Sequence, residues 1–225
     1  MRKPIASLHY LTQDLPHRSH EEQVRVACEA GVKWIQLRNK NRSFQEWLEI
    51  SKRVKEVTDH FGVILIINDS IEIARAVDAD GVHLGQEDLH PPEARKILGE
   101  EKIIGYSTHS FDELFAAKDF DVDYFGLGPF RFTSTKEKLN PVLGLEGISE
   151  IVQQARSHAI TKPIIAIGGI RLNDVTELLQ TGIDSVAVSS AINLADDAGE
   201  MMKRFQRELQ RFDSARRDQT LSIKQ

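Results

Sequence analysis

Two acidic residues stand directly after short apolar segments that neighbour each other along the chain. Asp69 follows the segment VILIIN, and Asp88 comes just past GVHLG. Carboxylate oxygens suit Mg²⁺, which usually keeps several waters and takes one or two carboxylates together with substrate phosphate oxygens. The pair therefore indicates a magnesium site that a phosphorylated ligand completes. The alternative is that each residue caps a helix, Asp69 the one starting at Ser70 and Asp88 the one near Pro91.

A cationic group follows another apolar segment. WIQLRNK, residues 34–40, begins as a strand and ends with Gln36, Arg38 and Lys40 at alternate positions. Alternate residues at the end of a strand share a face, so these three side chains are expected to converge. The two cations suit the oxygens of a polyphosphate, and the amide suits a neutral hydrogen-bonding edge. An ordinary solvated strand end is the alternative.

Small residues follow the last two apolar segments. AIGGI, residues 166–170, contains two adjacent glycines, and VAVSS, residues 186–190, ends in two hydroxyls. Backbone N–H groups in such loops commonly bind phosphate. The pattern favours a phosphate site over a simple tight turn.

These residues are positioned by a regular alternation of elements. Eight short apolar segments read as strands, and stretches of helical period separate them, several opening on Ser or Asp and closing on Gly. The strand candidates are ASLHYLT, WIQLR, VILIIND, GVHLG, KIIGYS, DYFGLG, PIIAIGG and SVAVSS. Eight βα units predict a single (β/α)8 TIM barrel over residues 1–212, with an open doubly wound sheet as the lesser alternative. The last helix is expected to reach Phe212, and residues 213–225 are expected to form a frayed polar tail.

Composition limits the class of protein. The 225 residues carry a formal charge of −5, which argues against a nucleic-acid binder, and the apolar runs are too short to span a membrane. Cys28 is the only cysteine, so no internal disulfide can form, and its apolar surroundings predict a packing role. We expect a cytoplasmic protein that acts on small molecules; the sequence leaves a homo-oligomer open.

The order of motifs resembles the thiamine phosphate synthase family. The resemblance runs from the second strand to the eighth, through QLRNK, IIND, ADGVHLGQEDL, IGYSTHS, DYFGLGPF, TSTK, PIIAIGGI and VAVSSAI. It implies a transferase that joins an aminopyrimidine methyl diphosphate to hydroxyethylthiazole phosphate and releases diphosphate. The need for a carboxylate on the thiazole stays open.

The resemblance also implies two substrate subsites and a metal. The pyrimidine diphosphate would be bound by Gln36, Leu37, Arg38, Asn39, Lys40, Asn68, Ser107 and Lys136, with Mg²⁺ on Asp69 and Asp88. The thiazole phosphate would be bound by Thr133, Ser134, Thr135, Gly168, Val188 and Ser189.

Catalysis in such a site rests on charge. Loss of diphosphate from a methylene on an electron-rich aminopyrimidine leaves a delocalised carbocation, which the thiazole nitrogen attacks. The protein then needs no nucleophilic side chain, and Arg38, Lys40 and Lys136 are the predicted catalytic residues because they stabilise the departing charge together with Mg²⁺.

Some positions leave alternatives open. Arg131 and Phe132 stand where the family more often has a small apolar residue and proline, so the loop over the thiazole site is not fixed by the resemblance. His83 reads as a core histidine, whereas His109 is equally compatible with packing and with proton transfer. A related thiazole tautomerase would carry a histidine near Pro129, and a non-catalytic paralogue would only bind thiamine phosphate. Pro129 and the intact charged set favour the synthase.

Overall fold

The computed structural model describes residues 3–39, 42–132 and 141–222. Within these ranges the strands are β1 (Leu8–Leu11), β2 (Trp34–Leu37), β3 (Ile64–Asn68), β4 (Gly81–Leu84), β5 (Ile103–Thr108), β6 (Tyr124–Leu127), β7 (Ile164–Ile167) and β8 (Ser185–Val188). Each strand pairs in parallel with the next, and β8 returns to β1 with Leu8 opposite Val186 and Tyr10 opposite Val188. The sheet is therefore a closed barrel. The predicted TIM barrel is confirmed, and the open sheet is wrong.

Helices cover the outside of the barrel. They are α1 (His20–Glu29), α2 (Phe44–Phe61), α3 (Ile71–Ala76), α4 (Pro91–Leu98), α5 (Phe111–Ala116), α6 (Gly144–Ser157), α7 (Val175–Gln180), α8 (Ser190–Asn193) and α9 (Ala198–Ser222). Capping boxes open α1 and α2, where Ser19 pairs with Glu22 and Ser43 with Glu46. Gly62 ends α2 in the left-handed conformation, with φ of 63°. The Ser and Gly signals of the sequence thus act as helix ends.

The strands bury both faces. In β2, Ile35 and Leu37 belong to the core between strands and helices, whereas Trp34 belongs to a second cluster inside the barrel. The interior cluster consists of Leu11, Trp34, Ile66, Ile103, Tyr124, Ile165 and Ala187. Strand residues alternate between these two cores, so a polar residue of the inward set near a strand end must face the mouth of the barrel.

The C-terminal helices differ from the prediction. α9 continues to Ser222 instead of ending at Phe212. No Gly or Pro stands between 212 and 222 to stop it, and Ala215, Arg216 and Arg217 are good helix formers. The single turn α8 was not predicted, because four residues are too few to show a helical period. None of the described helices is long and apolar enough to cross a membrane.

Candidate active site

A cavity of about 490 Å³ opens at the carboxyl ends of the strands. Its volume is in the range that small-molecule ligands occupy. Eight of the predicted site residues line it: Gln36, Arg38, Asn68, Asp69, Asp88, Ser107, Gly168 and Ser189. The structure thus brings together residues of β2 to β5 and of β7 and β8 at a single pocket.

An amide pair lies on the β2 and β3 side of the cavity. The Gln36 Nε2 group donates to Asn68 Oδ1 across 2.7 Å, and both side chains are buried. This bond uses one donor of Gln36 and the oxygen of Asn68. Gln36 Oε1 is left as an acceptor and Asn68 Nδ2 as a donor, which are the groups that an amino-substituted ring and an anionic oxygen require.

Arg38 is held at the rim through its backbone. Its N–H donates to Thr12 Oγ1 across 3.0 Å, and Thr12 is fully buried at the end of β1. The Arg38 side chain is half-buried and lines the cavity. The backbone of Arg38 is therefore fixed at the rim, and its side chain brings a positive charge to the cavity.

The two carboxylates do not cap helices. Ser70 is the N-cap of α3 and accepts from the Ile73 N–H, and His90 is the N-cap of α4. The capping alternative for Asp69 and Asp88 is therefore wrong. Asp69 instead has a left-handed backbone, with φ of 68°, a conformation that costs energy and often marks a functional position.

Asp88 is fixed by its own loop. Its Oδ2 atom accepts a hydrogen bond from the Gly85 N–H across 2.6 Å. Asp69 is fixed through its backbone N–H, which donates to the carbonyl of His83 across 2.8 Å. Both carboxylates line the same cavity.

The donor set fits a partly hydrated hard cation. Among the described residues, no three His, Cys, Asp or Glu side chains come together as a metal-binding group. Two carboxylates on one cavity wall are ligands of the type that a hard divalent cation binds when it also retains waters and accepts substrate oxygens.

Two histidines line the cavity. The ring of His83 lies 3.0 Å from the Tyr124 hydroxyl through Nδ1 and 2.9 Å from Ser107 Oγ through Nε2. His109 contacts Glu113, which accepts from both the His109 backbone N–H at 2.7 Å and Nδ1 at 3.0 Å. His83 is buried, and both of its ring nitrogens have hydrogen-bond partners, as predicted for a core histidine. It also lines the cavity.

The glycine loop after β7 forms the opposite wall. Gly168 and Gly169 have backbone φ angles of 100° and 67°, which residues other than glycine rarely adopt. A Cβ on Gly168 would lie 2.7 Å from the Cβ of Pro129, so this glycine is also required for the close approach of the two loops. Ser189, after β8, completes this wall.

Arg131 connects the loop after β6 to this glycine loop. Its two terminal nitrogens contact the Asp174 carboxylate at 2.7 and 3.0 Å, and Nη1 also donates to the Gly169 carbonyl across 2.9 Å. Burial opposes ionisation of Asp174, but the hydrogen bonds from Arg131 and the Arg171 backbone outweigh it and lower its pKa. Arg131 is thus a structural clamp, whereas Phe132 is largely exposed.

Several predicted site residues lie elsewhere. The side chains of Leu37 and Val188 pack in the outer core, so they can reach a ligand only through the backbone. Asn39 is buried and does not line the cavity. Lys40, Thr133, Ser134, Thr135 and Lys136 lie outside the described residues.

Sequence reasoning missed two residues at the site. Glu113 lines the cavity and binds His109, but its SxxE spacing after Ser110 signals only a helix cap. Asn193 is buried behind Ser189, and no motif in the sequence marks it.

Comparison with known proteins identifies the family. A model of the thiamine monophosphate synthase family matches residues 9–192. The chain belongs to this family.

Individual relatives agree with the family match. Thiamine-phosphate synthase of Bacteroides fragilis is 41% identical over 200 residues, covering 89% of this chain and 98% of the relative. The Clostridium novyi thiamine-phosphate synthase is 43% identical over 191 residues, covering 84% of this chain and 91% of the relative. The predicted family and its enzyme class, a transferase, are confirmed.

A solved structure has the same architecture. Thiamine phosphate pyrophosphorylase from Pyrococcus furiosus superposes with a TM-score of 0.80 at 34% identity, covering 92% of this chain and 96% of that one.

Proposed function

We propose that this chain makes thiamine phosphate by joining 4-amino-2-methyl-5-(diphosphooxymethyl)pyrimidine to hydroxyethylthiazole phosphate. The observation that carries the proposal is the arrangement of one cavity. Cationic, amide and carboxylate groups line it from β2 to β5, and a glycine and hydroxyl wall faces them from β7 and β8. Two anionic substrates placed on these walls would meet across the pocket, as a condensation requires.

The β2 to β5 wall would bind the pyrimidine diphosphate. Gln36 Oε1 would accept from the amino group of the ring, and Asn68 Nδ2 and the Ser107 hydroxyl would donate to diphosphate oxygens. Arg38 would neutralise the same diphosphate. Lys40 and Lys136 are predicted to add charge here.

Asp69 and Asp88 would hold Mg²⁺. When bound, the ion would offset the negative charge of the leaving diphosphate. The bond between Asp88 and the Gly85 N–H keeps that carboxylate at the cavity wall before any ligand arrives.

The β7 and β8 wall would bind the thiazole phosphate. Backbone N–H groups of Gly168 and Gly169 and the hydroxyl of Ser189 suit phosphate oxygens. The Arg131–Asp174 pair, together with the Arg131 bond to the Gly169 carbonyl, keeps these glycines in one conformation.

The reaction would proceed without a covalent enzyme intermediate. The bond between the pyrimidine methylene carbon and the diphosphate oxygen breaks, and its electron pair leaves with the diphosphate. The thiazole nitrogen then supplies the pair for the new C–N bond. Arg38 would stabilise the charge that collects on the departing oxygen. Cys28 is buried in the outer core, and burial raises its pKa to about 11, so it is not an available nucleophile.

A product assay tests the proposal. Purified protein, both substrates and Mg²⁺ are mixed, and thiamine phosphate and diphosphate are measured, with each substrate omitted in turn. The proposal expects equal amounts of both products only in the complete mixture. Isomerisation of a thiazole phosphate without condensation would favour the tautomerase, and tight binding of thiamine phosphate without turnover would favour the non-catalytic paralogue.

A further inference from the structure

A cluster of three aromatic rings lies in the barrel interior beneath the cavity. His9 stacks on Trp34 with 4.3 Å between ring centroids, and Tyr124 contacts both edge-on at 5.2 and 5.7 Å. Each of the three side chains is at most 1% exposed. The hydroxyl of Tyr124 is therefore cut off from solvent and depends on protein partners.

That hydroxyl reaches the active site through one histidine. Tyr124 on β6 and His83 on β4 are separated by β5, yet their polar atoms are 3.0 Å apart. They meet because β5 carries Gly105 between them: a Cβ there would lie 2.2 Å from Tyr124 Cζ and 2.5 Å from His83 Nδ1. The other ring nitrogen of His83 contacts Ser107 Oγ at the cavity wall.

The direction of these hydrogen bonds follows from the phenol. Among the described residues, His83 Nδ1 is the one hydrogen-bond partner that Tyr124 Oη has. Burial raises the pKa of Tyr124, with a smaller contribution from Asp123, so the phenol keeps its proton. Nδ1 must then accept, and Nε2 must carry the hydrogen and donate to Ser107 Oγ.

The reverse direction is costly. If Nδ1 carried the hydrogen, Tyr124 would accept, and its own O–H would be buried without a partner. Such an unsatisfied donor costs about 1–3 kcal/mol, which is enough to set the tautomer of a neutral imidazole.

We infer that Tyr124 is a positioning residue that acts on the substrate through His83 and Ser107. Its hydroxyl fixes the Nε2–H tautomer of His83. The Nε2–H group donates to Ser107 Oγ, and the hydroxyl hydrogen of Ser107 is then directed into the cavity. Ser107 is thereby prepared as a donor for an acceptor-only ligand atom, an ionised phosphate oxygen. The identity of that ligand as the pyrimidine diphosphate rests on the proposed function.

The tautomer is tested without substrate. Nitrogen-15 NMR of histidine-labelled protein at about pH 8, where an ordinary imidazole is neutral, distinguishes the protonated ring nitrogen from the bare one. The wild type should show Nε2 of His83 as the protonated nitrogen. Tyr124→Phe, which keeps the ring and removes only the hydroxyl, should give a mixture of tautomers or Nδ1–H. The matched control is Tyr10→Phe, because Tyr10 is another buried tyrosine whose hydroxyl contacts Gln23 and Asn193 instead.

Binding measurements test the effect on the ligand. Tyr124→Phe should weaken the pyrimidine diphosphate about three- to tenfold and leave thiazole phosphate affinity unchanged. In a Ser107→Ala background the same substitution should cause no further loss, because the relay then has no end point. A purely structural role would instead weaken both ligands, in either background.

An Nδ1–H tautomer in the wild type, an unchanged tautomer in Tyr124→Phe, or fully additive losses with Ser107→Ala would overturn the role of Tyr124. If the wild type shows the Nε2–H tautomer and Tyr124→Phe changes it, but the product assay yields no thiamine phosphate, the relay stands and the proposed reaction is wrong.

Discussion

The side-chain amide of Asn193 donates a hydrogen bond to the hydroxyl of Ser189, with 3.2 Å between nitrogen and oxygen. The orientation of this amide is fixed, because Nδ2 also donates to the Leu11 carbonyl at 2.9 Å and Oδ1 accepts from the Tyr10 hydroxyl. Ser189 Oγ is therefore an acceptor on its inner side, and its hydrogen is free to face the cavity.

Substitution of Asn193 should affect one subsite selectively. Asn193→Ala removes the donor behind Ser189, so thiazole phosphate affinity should fall severalfold while pyrimidine diphosphate affinity is retained. Because the Tyr10 hydroxyl and the Leu11 carbonyl lose a buried partner, the free energy of unfolding should drop by about 1–3 kcal/mol. Calorimetric titration with each ligand checks the split; an equal loss for both ligands would show that Asn193 does not act through Ser189.

The carboxylates offer a way to separate charge from shape. Asp88→Asn keeps an oxygen for the Gly85 N–H, so the loop should hold, but the ligand charge for Mg²⁺ is lost. Turnover at saturating substrate should fall on the order of 100-fold, as should that of Asp69→Ala. Rates are measured across a magnesium titration, with Asp59→Ala on the exposed surface of α2 as control. Wild-type rates in both variants at high magnesium would eliminate the metal assignment.

The Arg131–Asp174 pair should stabilise the protein only where Asp174 is ionised. Its pKa lies below the ordinary 3.8, because its hydrogen bonds outweigh the effect of burial. A lowered folded-state pKa adds stability that is present above the ordinary value and is lost as the pH falls through the folded value. The stability difference between wild type and Asp174→Asn should therefore be constant from pH 7 to about pH 5 and shrink below pH 4. Urea unfolding at several pH values measures it, and a difference that grows in acid would contradict the clamp.

His9 should make the barrel sensitive to mild acid. Burial, with a smaller effect from His83, lowers the pKa of His9 from 6.5 to about 3. The unfolded chain then binds more protons than the folded chain between these values, so stability falls as the pH drops below 6.5. His9→Phe keeps a ring against Trp34. Between pH 7 and pH 5, its free energy of unfolding should fall by about 2 kcal/mol less than that of the wild type. His17→Phe, at an exposed position, is the control. Parallel pH profiles of unfolding free energy for wild type and His9→Phe would show that His9 does not cause the acid sensitivity.

The sequence predicts the rim of the barrel well for a simple physical reason. Parallel strands end at the same edge, so polar residues after the strands, such as Gln36, Asn68, Asp69 and Asp88, must meet there. Their order along the chain was sufficient, and no side-chain geometry was needed to place them at one cavity.

Contacts that skip an element could not be predicted in this way. Tyr124 reaches His83 across a third strand only because Gly105 leaves space, and Arg131 finds Asp174 43 positions away in another loop. Neither pair is separated by a distance along the chain that the repeat of a helix or a strand would predict. The end of α9 was missed for a different reason, since a polar helix without a stop signal resembles a frayed tail.

A crystal structure with thiamine phosphate, diphosphate and Mg²⁺ tests whether the two anionic substrates bind on opposite walls of one cavity. We expect an arrangement with diphosphate at Arg38, Asn68 and Ser107, the ion on Asp69 and Asp88, and the phosphate of thiamine phosphate at Gly168, Gly169 and Ser189. Diphosphate on the glycine wall, or an ion bound away from both carboxylates, would contradict it.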